Sequence, residues 1–335
     1  MIKKLFSAAS LLLSVFAFSS CSKGSLDRQK EITLIMAEVN PEGTISSKMD
    51  YAFKEKVEEL SKGKIKIDLH FTATLGDEQT IMELLRRKDS TIHLERISAF
   101  NMSAYDCNKS SLLASPYTFK NKEHFWKFAS SPLAQEVLTE SYDNGVGVRG
   151  LFFGEEGFRH FFATRPLNSI SDFSSLKLRT TSDPIMKDLA HGLGADSVTV
   201  AFADLYSALQ TGVADAAEQP LANYLANHFN KTAPYMILDG HTLGVTEVII
   251  SSAVWDSLSK EQKAVLTEAG KYAGTVCRKI SEEAEEKAKD QLLKEGVVFK
   301  EIEDLEPWKK ACAHTISDIT KDDRDFYQKI MSLAD

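Results

Sequence analysis

From residue 31 to residue 94 two kinds of segment alternate, and that alternation restricts the fold more than any other feature of the sequence. Residues 31–37 form a short apolar run of the kind buried in a parallel sheet. Met49, Phe53, Val57 and Leu60 then recur at helical spacing. Residues 64–71 alternate apolar and polar, as a half-buried strand does. Asp77 stands at an N-cap position, ahead of a helix with Ile81, Met82, Leu84 and Leu85 on its buried face. Residues 91–94 read as the next strand. Strand, helix, strand, helix, strand predicts a parallel α/β sheet. Further strands are expected at 147–153, 176–178, 213–217, 241–250 and 296–300, with helices at 203–210, 223–232 and 307–333. Ser259, with Gln262 at the capping-box position, starts a helix running to about residue 295. Gly270 and Gly274 predict a kink in it.

The chain has 335 residues, enough for two domains of ordinary size. Its first twenty residues stand apart. Lys3 and Lys4 give a basic start, and residues 5–18 are apolar except for small Ser and Ala. That run is too short to span a bilayer and fits the apolar core of an export signal. No later stretch is long and apolar enough to span a membrane. Small residues lead to Cys21, a pattern that resembles a bacterial lipoprotein signal with Cys21 as the lipidated first residue. Phe18 stands where such signals usually carry leucine. A plain secretory signal with an incidental Cys21 is the alternative. Residues 22–30 are polar and read as a tether.

Cleavage ahead of Cys21 removes two lysines and no acid, leaving 38 basic residues against 48 acidic, a net charge of −10. An acidic chain without a dense basic run is a poor nucleic-acid binder. Cys107, Cys277 and Cys312 remain, so at most one disulfide can form within the chain. No Cys-x-x-Cys and no histidine cluster marks a metal site, and no cofactor is expected. His191, His228 and His241 read as surface or structural residues. The sequence contains no Gly-x-Ser-x-Gly elbow, Walker loop or His-Glu-x-x-His, so an enzyme is not expected. The pairs Glu155-Glu156 and Glu282-Glu283 read as solvated faces.

The stretch 177–220 carries the most chemistry. Arg179 ends a short apolar strand beside a Thr/Ser turn. A guanidinium there offers a planar, two-pronged donor to a carboxylate. The run Ala208-Leu-Gln-Thr-Gly-Val-Ala-Asp215 reads as a helix, a glycine stop and a strand that returns Glu218 and Gln219 to the same edge. A surface salt bridge is the commoner role for a lone arginine. Upstream, Arg159 sits among Phe152, Phe153, Phe158, Phe161 and Phe162. It is either the wet face of an apolar strand or a second ligand-facing cation beside apolar walls.

Three motifs in order, Thr74-Leu-Gly-Asp-Glu78, Pro166-Leu-Asn-Ser-Ile-Ser-Asp172 before Leu176-Lys-Leu-Arg179, and Tyr206-Ser-Ala-Leu-Gln-Thr-Gly-Val-Ala-Asp215-Ala-Ala-Glu218-Gln219-Pro220, resemble the extracytoplasmic solute receptors of TRAP transporters. This is the DctP family, which includes sialic-acid and C4-dicarboxylate binders. The resemblance implies an α/β solute-binding-protein fold: two domains around a ligand cleft, with a long helix spanning both. On that pattern residues 31–155 with 245–282 form one domain, and 156–244 with 283–335 the other. It implies that Arg179 holds a ligand carboxylate, that Arg159 is a second arginine of the site, and that Phe202 lines the pocket. Gln219 replaces the Asn of the family motif, and Ala216 its glycine. Glu38 falls near a common polar contact, and Arg96 where an acidic contact is often placed. The implied partners are a small organic acid and the TRAP membrane subunits, with membrane attachment through the N-terminal lipid. The phenylalanines around Arg159 point to an acid with a larger apolar body than sialic acid. Some TRAP receptors work with a tetratricopeptide-repeat periplasmic protein, so a docking lipoprotein is the alternative function.

Overall fold

The computed structural model describes residues 31–334. The signal, tether and Cys21 lie outside the described residues. Nine strands share one sheet: β1 (Ile32–Ala37), β2 (Ile65–His70), β3 (Leu94–Ser98), β4 (Val148–Ala163), β5 (Lys177–Thr180), β6 (Asp196–Thr199), β7 (Ala216–Pro220), β8 (Tyr235–Ser251) and β9 (Val298–Glu301). Their order is β2-β1-β3-β8-β4-β7-β5-β6, with β9 also paired to β8. The pairs β1/β2, β1/β3, β5/β6 and β5/β7 are parallel, as the helical crossovers between them require. The long central pair β4/β8 is antiparallel.

Local chemistry explains the helices. Thr44 and Asp77 cap the Ile45–Leu60 and Glu78–Leu85 helices by accepting from Ser47 N (3.2 Å) and Thr80 N (2.8 Å). Ser259 and Gln262 form the full capping box at the start of Lys260–Lys294. That helix runs unbroken for 35 residues and packs on the Ile45–Leu60 helix, on β4 and on the Leu221–Ala226 helix. Gly270 belongs to its packing face. A Cβ there would lie 2.5 Å from Phe152 Cδ1, so the small residue permits close approach to β4.

The sequence reading stops short on β4. It expects a strand at 147–153, whereas β4 runs on to Ala163. The reason is a bulge. Glu155 pairs with Val245 and Phe158 with Leu243, so three steps on β4 match two on β8. Gly157 supplies the required backbone at φ +98°. The extra residue also alters the alternation of faces, so Glu156 and Arg159 look the same way. β3 begins where the expected 91–94 strand ends, which buries Glu95 and Arg96 inside the sheet. The segment expected to be helical at 223–232 is the Leu221–Ala226 helix and one 3-10 turn at Phe229–Lys231, parted by His228 at φ +58°. The C-terminal helical region is three short helices, Glu306–Ala311, Ala313–Thr320 and Arg324–Met331. Cys107, Cys277 and Cys312 are buried and free.

A buried ionic chain ties the three middle strands together. Arg159 on β4 donates from Nε and Nη2 to the two carboxylate oxygens of Glu218 on β7, at 2.7 Å for Nη2 to Oε1. On β8, His241 places Nε2 3.7 Å from Glu218 Oε2, and its Nδ1 lies 2.6 Å from Asp239. Asp239 in turn accepts from Phe161 N of β4 at 3.2 Å. The β8 ladder shifts register between Thr242 and Ile237, and that irregularity holds Asp239 and His241. The His241 ring stacks on Phe161 with centroids 4.2 Å apart. Burial opposes the charge on both partners, but the pairing wins. Asp239 and Glu218 raise His241 to about 9, and Arg159 with His241 holds Glu218 at about 2.

Gly157→Ala should destabilise the protein by ~1–3 kcal/mol in urea unfolding, because alanine resists that φ and its Cβ would collide with the Glu285 carboxylate. The ionic chain also has a pH signature. Its Glu218 contribution is present above the ordinary value of 4.5 and is lost as pH falls toward 2. Its His241 contribution is present below 6.5 and is lost as pH rises through 9. Subtracting the Glu218→Gln stability profile from that of the parent protein should therefore leave a difference that shrinks on acidification from pH 4.5. A difference flat down to pH 2 would rule the pairing out.

Candidate functional site

The carboxyl ends of the parallel strands on both sides of β4/β8 converge on one cavity of about 250 Å³. Asn40 follows β1, Ser98 ends β3, Thr181 follows β5, Val200 follows β6, and Glu218 and Gln219 lie on β7. Open α/β sheets place their ligands outside these strand ends.

Three buried arginines line the cavity, and two are already paired. Arg96 donates from Nε to Glu38 Oε2 at 2.7 Å and from Nη1 to Glu78 Oε1 at 2.8 Å. Its Nη2 also reaches Glu38. Arg159 holds Glu218 and lies 5.5 Å over the Phe100 ring. Arg179 is different. It is 3% exposed, its Nε donates to Val200 O at 2.9 Å, and it has no ion pair among the described residues. Its guanidinium sits 6.0 Å from the Phe202 ring centroid. Burial pushes Arg179 down to about 10, with Glu218 opposing the fall and Arg159 adding to it. A buried guanidinium with free N–H groups facing a cavity is arranged to receive an anion.

Arg179, Arg159, Gln219, Phe202 and Arg96 all line the cavity. Glu38 does not: it lies behind Arg96, fixed by that arginine and by Asn40 N at 2.6 Å. Gln219 is 3% exposed, and its side-chain amide makes no hydrogen bond within the described residues.

The aromatic setting of Arg159 belongs elsewhere. Phe152, Phe153, Phe161 and Phe162 are core residues, and Phe158 packs against the core. Among the described residues only Phe100 and Phe202 bring aromatic rings to the cavity. Alternation turns Phe158, next to the inward-facing Arg159, to the other face, and the register shifts on either side of Arg159 break the alternation for Phe153 and Phe161.

Sequence reasoning missed Glu156 and the partner of Arg96. Glu155 and Glu156 are 1% and 4% exposed, not a solvated face. Glu155 turns toward the long helix, where it meets Ser281 and lies 4.0 Å from Lys122. Glu156 turns to the cavity, where Oε1 accepts from Asn40 Nδ2 at 3.0 Å and from Ser46 Oγ. The glycines flanking this pair, Gly154 and Gly157, were the available signal of an irregular strand. Asp50 and Glu95 lie deeper; no donor group reaches the carboxyl oxygens of either, and Asp50 faces the Glu38 carboxylate. Burial, reinforced by Glu38 for Asp50 and by Glu78 for Glu95, raises both well above their ordinary values. Among the described residues no group of His, Cys, Asp and Glu is placed to hold a metal ion, and no helix is long and apolar enough to cross a membrane.

Residues 36–323 match the family described as bacterial extracellular solute-binding protein, family 7 (DctP). An uncharacterised protein of Haemophilus influenzae is 27% identical over 335 residues, covering 99% of this chain and 100% of that one. The sialic acid-binding periplasmic protein SiaP of Vibrio cholerae is 28% identical over 257 residues, covering 77% and 78%. Among solved structures, a TRAP periplasmic solute-binding protein from Polaromonas sp. JS666 bound to D-erythronate superposes with a TM-score of 0.84 at 27% identity, covering 90% of this chain and 99% of that one. One from Pseudomonas putida F1 with bound D-glucuronate gives 0.85 at 22% identity, covering 89% and 96%. The fold is thus that of the two-domain TRAP binding proteins. The chain belongs to the family 7 bacterial extracellular solute-binding proteins and is a TRAP-type solute receptor, not an enzyme.

Proposed function

We propose that the protein captures a small organic acid in this cavity on the periplasmic side and delivers it to TRAP membrane subunits. One observation carries the reading: Arg179 is buried, faces the cavity and lacks an acidic partner among the described residues. The names of its relatives agree, since the solved structures it resembles hold D-glucuronate, D-erythronate and galacturonate. The ligand carboxylate takes both free arms of Arg179, and Gln219 and Phe202 shape the wall beside it. Arg159 and Arg96 serve as paired, oriented supports. Apolar atoms contribute the larger share of the cavity surface, so the body of the acid meets apolar wall as well as polar contacts.

The proposed domains are residues 31–155 with 245–282 and residues 156–244 with 283–335. β4 and β8, at 16 and 17 residues, are long enough to serve both. Ligand held between them favours the closed form by its greater affinity for it. Lipidation at Cys21 is the proposed tether to the membrane.

Arg179→Met should abolish carboxylate binding, a loss of at least about a hundredfold by calorimetry with sugar acids. The same change should leave the empty protein as stable as before or more so, because it removes an uncompensated buried charge. A loss of stability with affinity retained would instead make Arg179 a structural residue. Cys21→Ser should shift the protein from the membrane to the soluble fraction of fractionated cells; an unchanged distribution would remove the lipid anchor.

A further inference from the structure

Among the described buried groups that line the cavity, charge pairing leaves one of each sign over. Arg96 faces Glu38 and Glu78, Arg159 faces Glu218, and His241 is shared by Glu218 and Asp239. Arg179 is the unpaired cation. Glu156 is the buried unpaired anion: it is 4% exposed, lines the cavity and has no ion pair among the described residues, whereas Asp77, also on the lining, is only half-buried and caps the Glu78–Leu85 helix. Its two donors, Asn40 and Ser46, are neutral and both reach Oε1. They fix the carboxylate while leaving Oε2 without a donor among the described residues. The bulge at Gly157 is what turns Glu156 and Arg159 to the same side.

We propose that the ligand is a zwitterion, a small acid that also carries a protonated amine, with its carboxylate on Arg179 and its ammonium on Glu156 Oε2. The inference rests on the carboxylate reading of Arg179. Buried carboxylates already outnumber their cations here, since Arg96 alone serves two of them. A plain hydroxy acid would enlarge that surplus and leave Glu156 buried beside neutral hydroxyls. An ammonium group completes it with a charge-assisted hydrogen bond, the stronger kind. Bound this way, the ligand adds no net charge to a low-dielectric site.

The test is calorimetry on the purified protein with matched acids that differ by one amine for one hydroxyl: lactate with alanine, γ-hydroxybutyrate with γ-aminobutyrate, and gluconate with glucosaminate. The amino member of a pair should bind more tightly by at least about tenfold. Glu156→Gln should erase that preference, and Glu156→Asp, which keeps the charge, should retain part of it. Thermal melting of each variant confirms that it folds. If the hydroxy member binds as well or better, and that binding depends on Arg179, the zwitterion fails while the carboxylate site stands. A preference that survives Glu156→Gln removes Glu156 as the ammonium seat. Binding of no acid in any pair overturns both readings.

Discussion

The bidentate pair between Arg159 and Glu218 holds the middle of this protein in place. It joins β4 to β7 at the point where the long strand pair meets the outer parallel strands. His241 and Asp239 extend it onto β8. Desolvating so many charges is unfavourable, and only dense mutual pairing makes it tolerable. Once the chain is formed, each strand has its lateral position, and the cavity wall built from β4 and β7 is rigid. The same pairing saturates Arg159, which leaves Arg179 as the guanidinium open to a ligand.

Much of this was legible in the sequence because the signals are local. Apolar spacing located the Ile45–Leu60 helix, a capping box located the start of Lys260–Lys294, and the Lys-Leu-Arg strand end located Arg179. Short motifs also indicated Gln219 and Phe202. What escaped notice depends on partners far away in the chain. Glu156 and Arg159 share a face only because of a bulge that needs β8 opposite it. Glu38 looked like a ligand contact until Arg96, 58 residues away, was seen to occupy it. The phenylalanines around Arg159 looked like pocket walls because adjacency in sequence was read as adjacency in space. In a strand the opposite holds, since neighbours face apart. The close packing of Gly270 under Phe152 could not be read from the sequence either, because only the fold creates that contact.

Two kinds of acid surround the cavity. Asp50 and Glu95 lie deep, where burial and neighbouring acids oppose their ionisation. Glu78, Glu156 and Glu218 lie at its surface. The difference follows from distance to a guanidinium or to the cavity, not from residue type. Substitutions in the deep pair should thus be read as packing changes, while those in the outer three change the field that a ligand meets.

The three buried cysteines have a consequence for how the protein matures. Each is free, and burial pushes Cys312 up to about 12 and raises Cys107 and Cys277 as well. Almost no thiolate forms at neutral pH, so none of the three is a competent nucleophile toward a disulfide. The native fold therefore needs no oxidant to assemble and gives none a foothold. Among the described residues, these three thiols are shielded from the redox poise of the surroundings once the chain has folded.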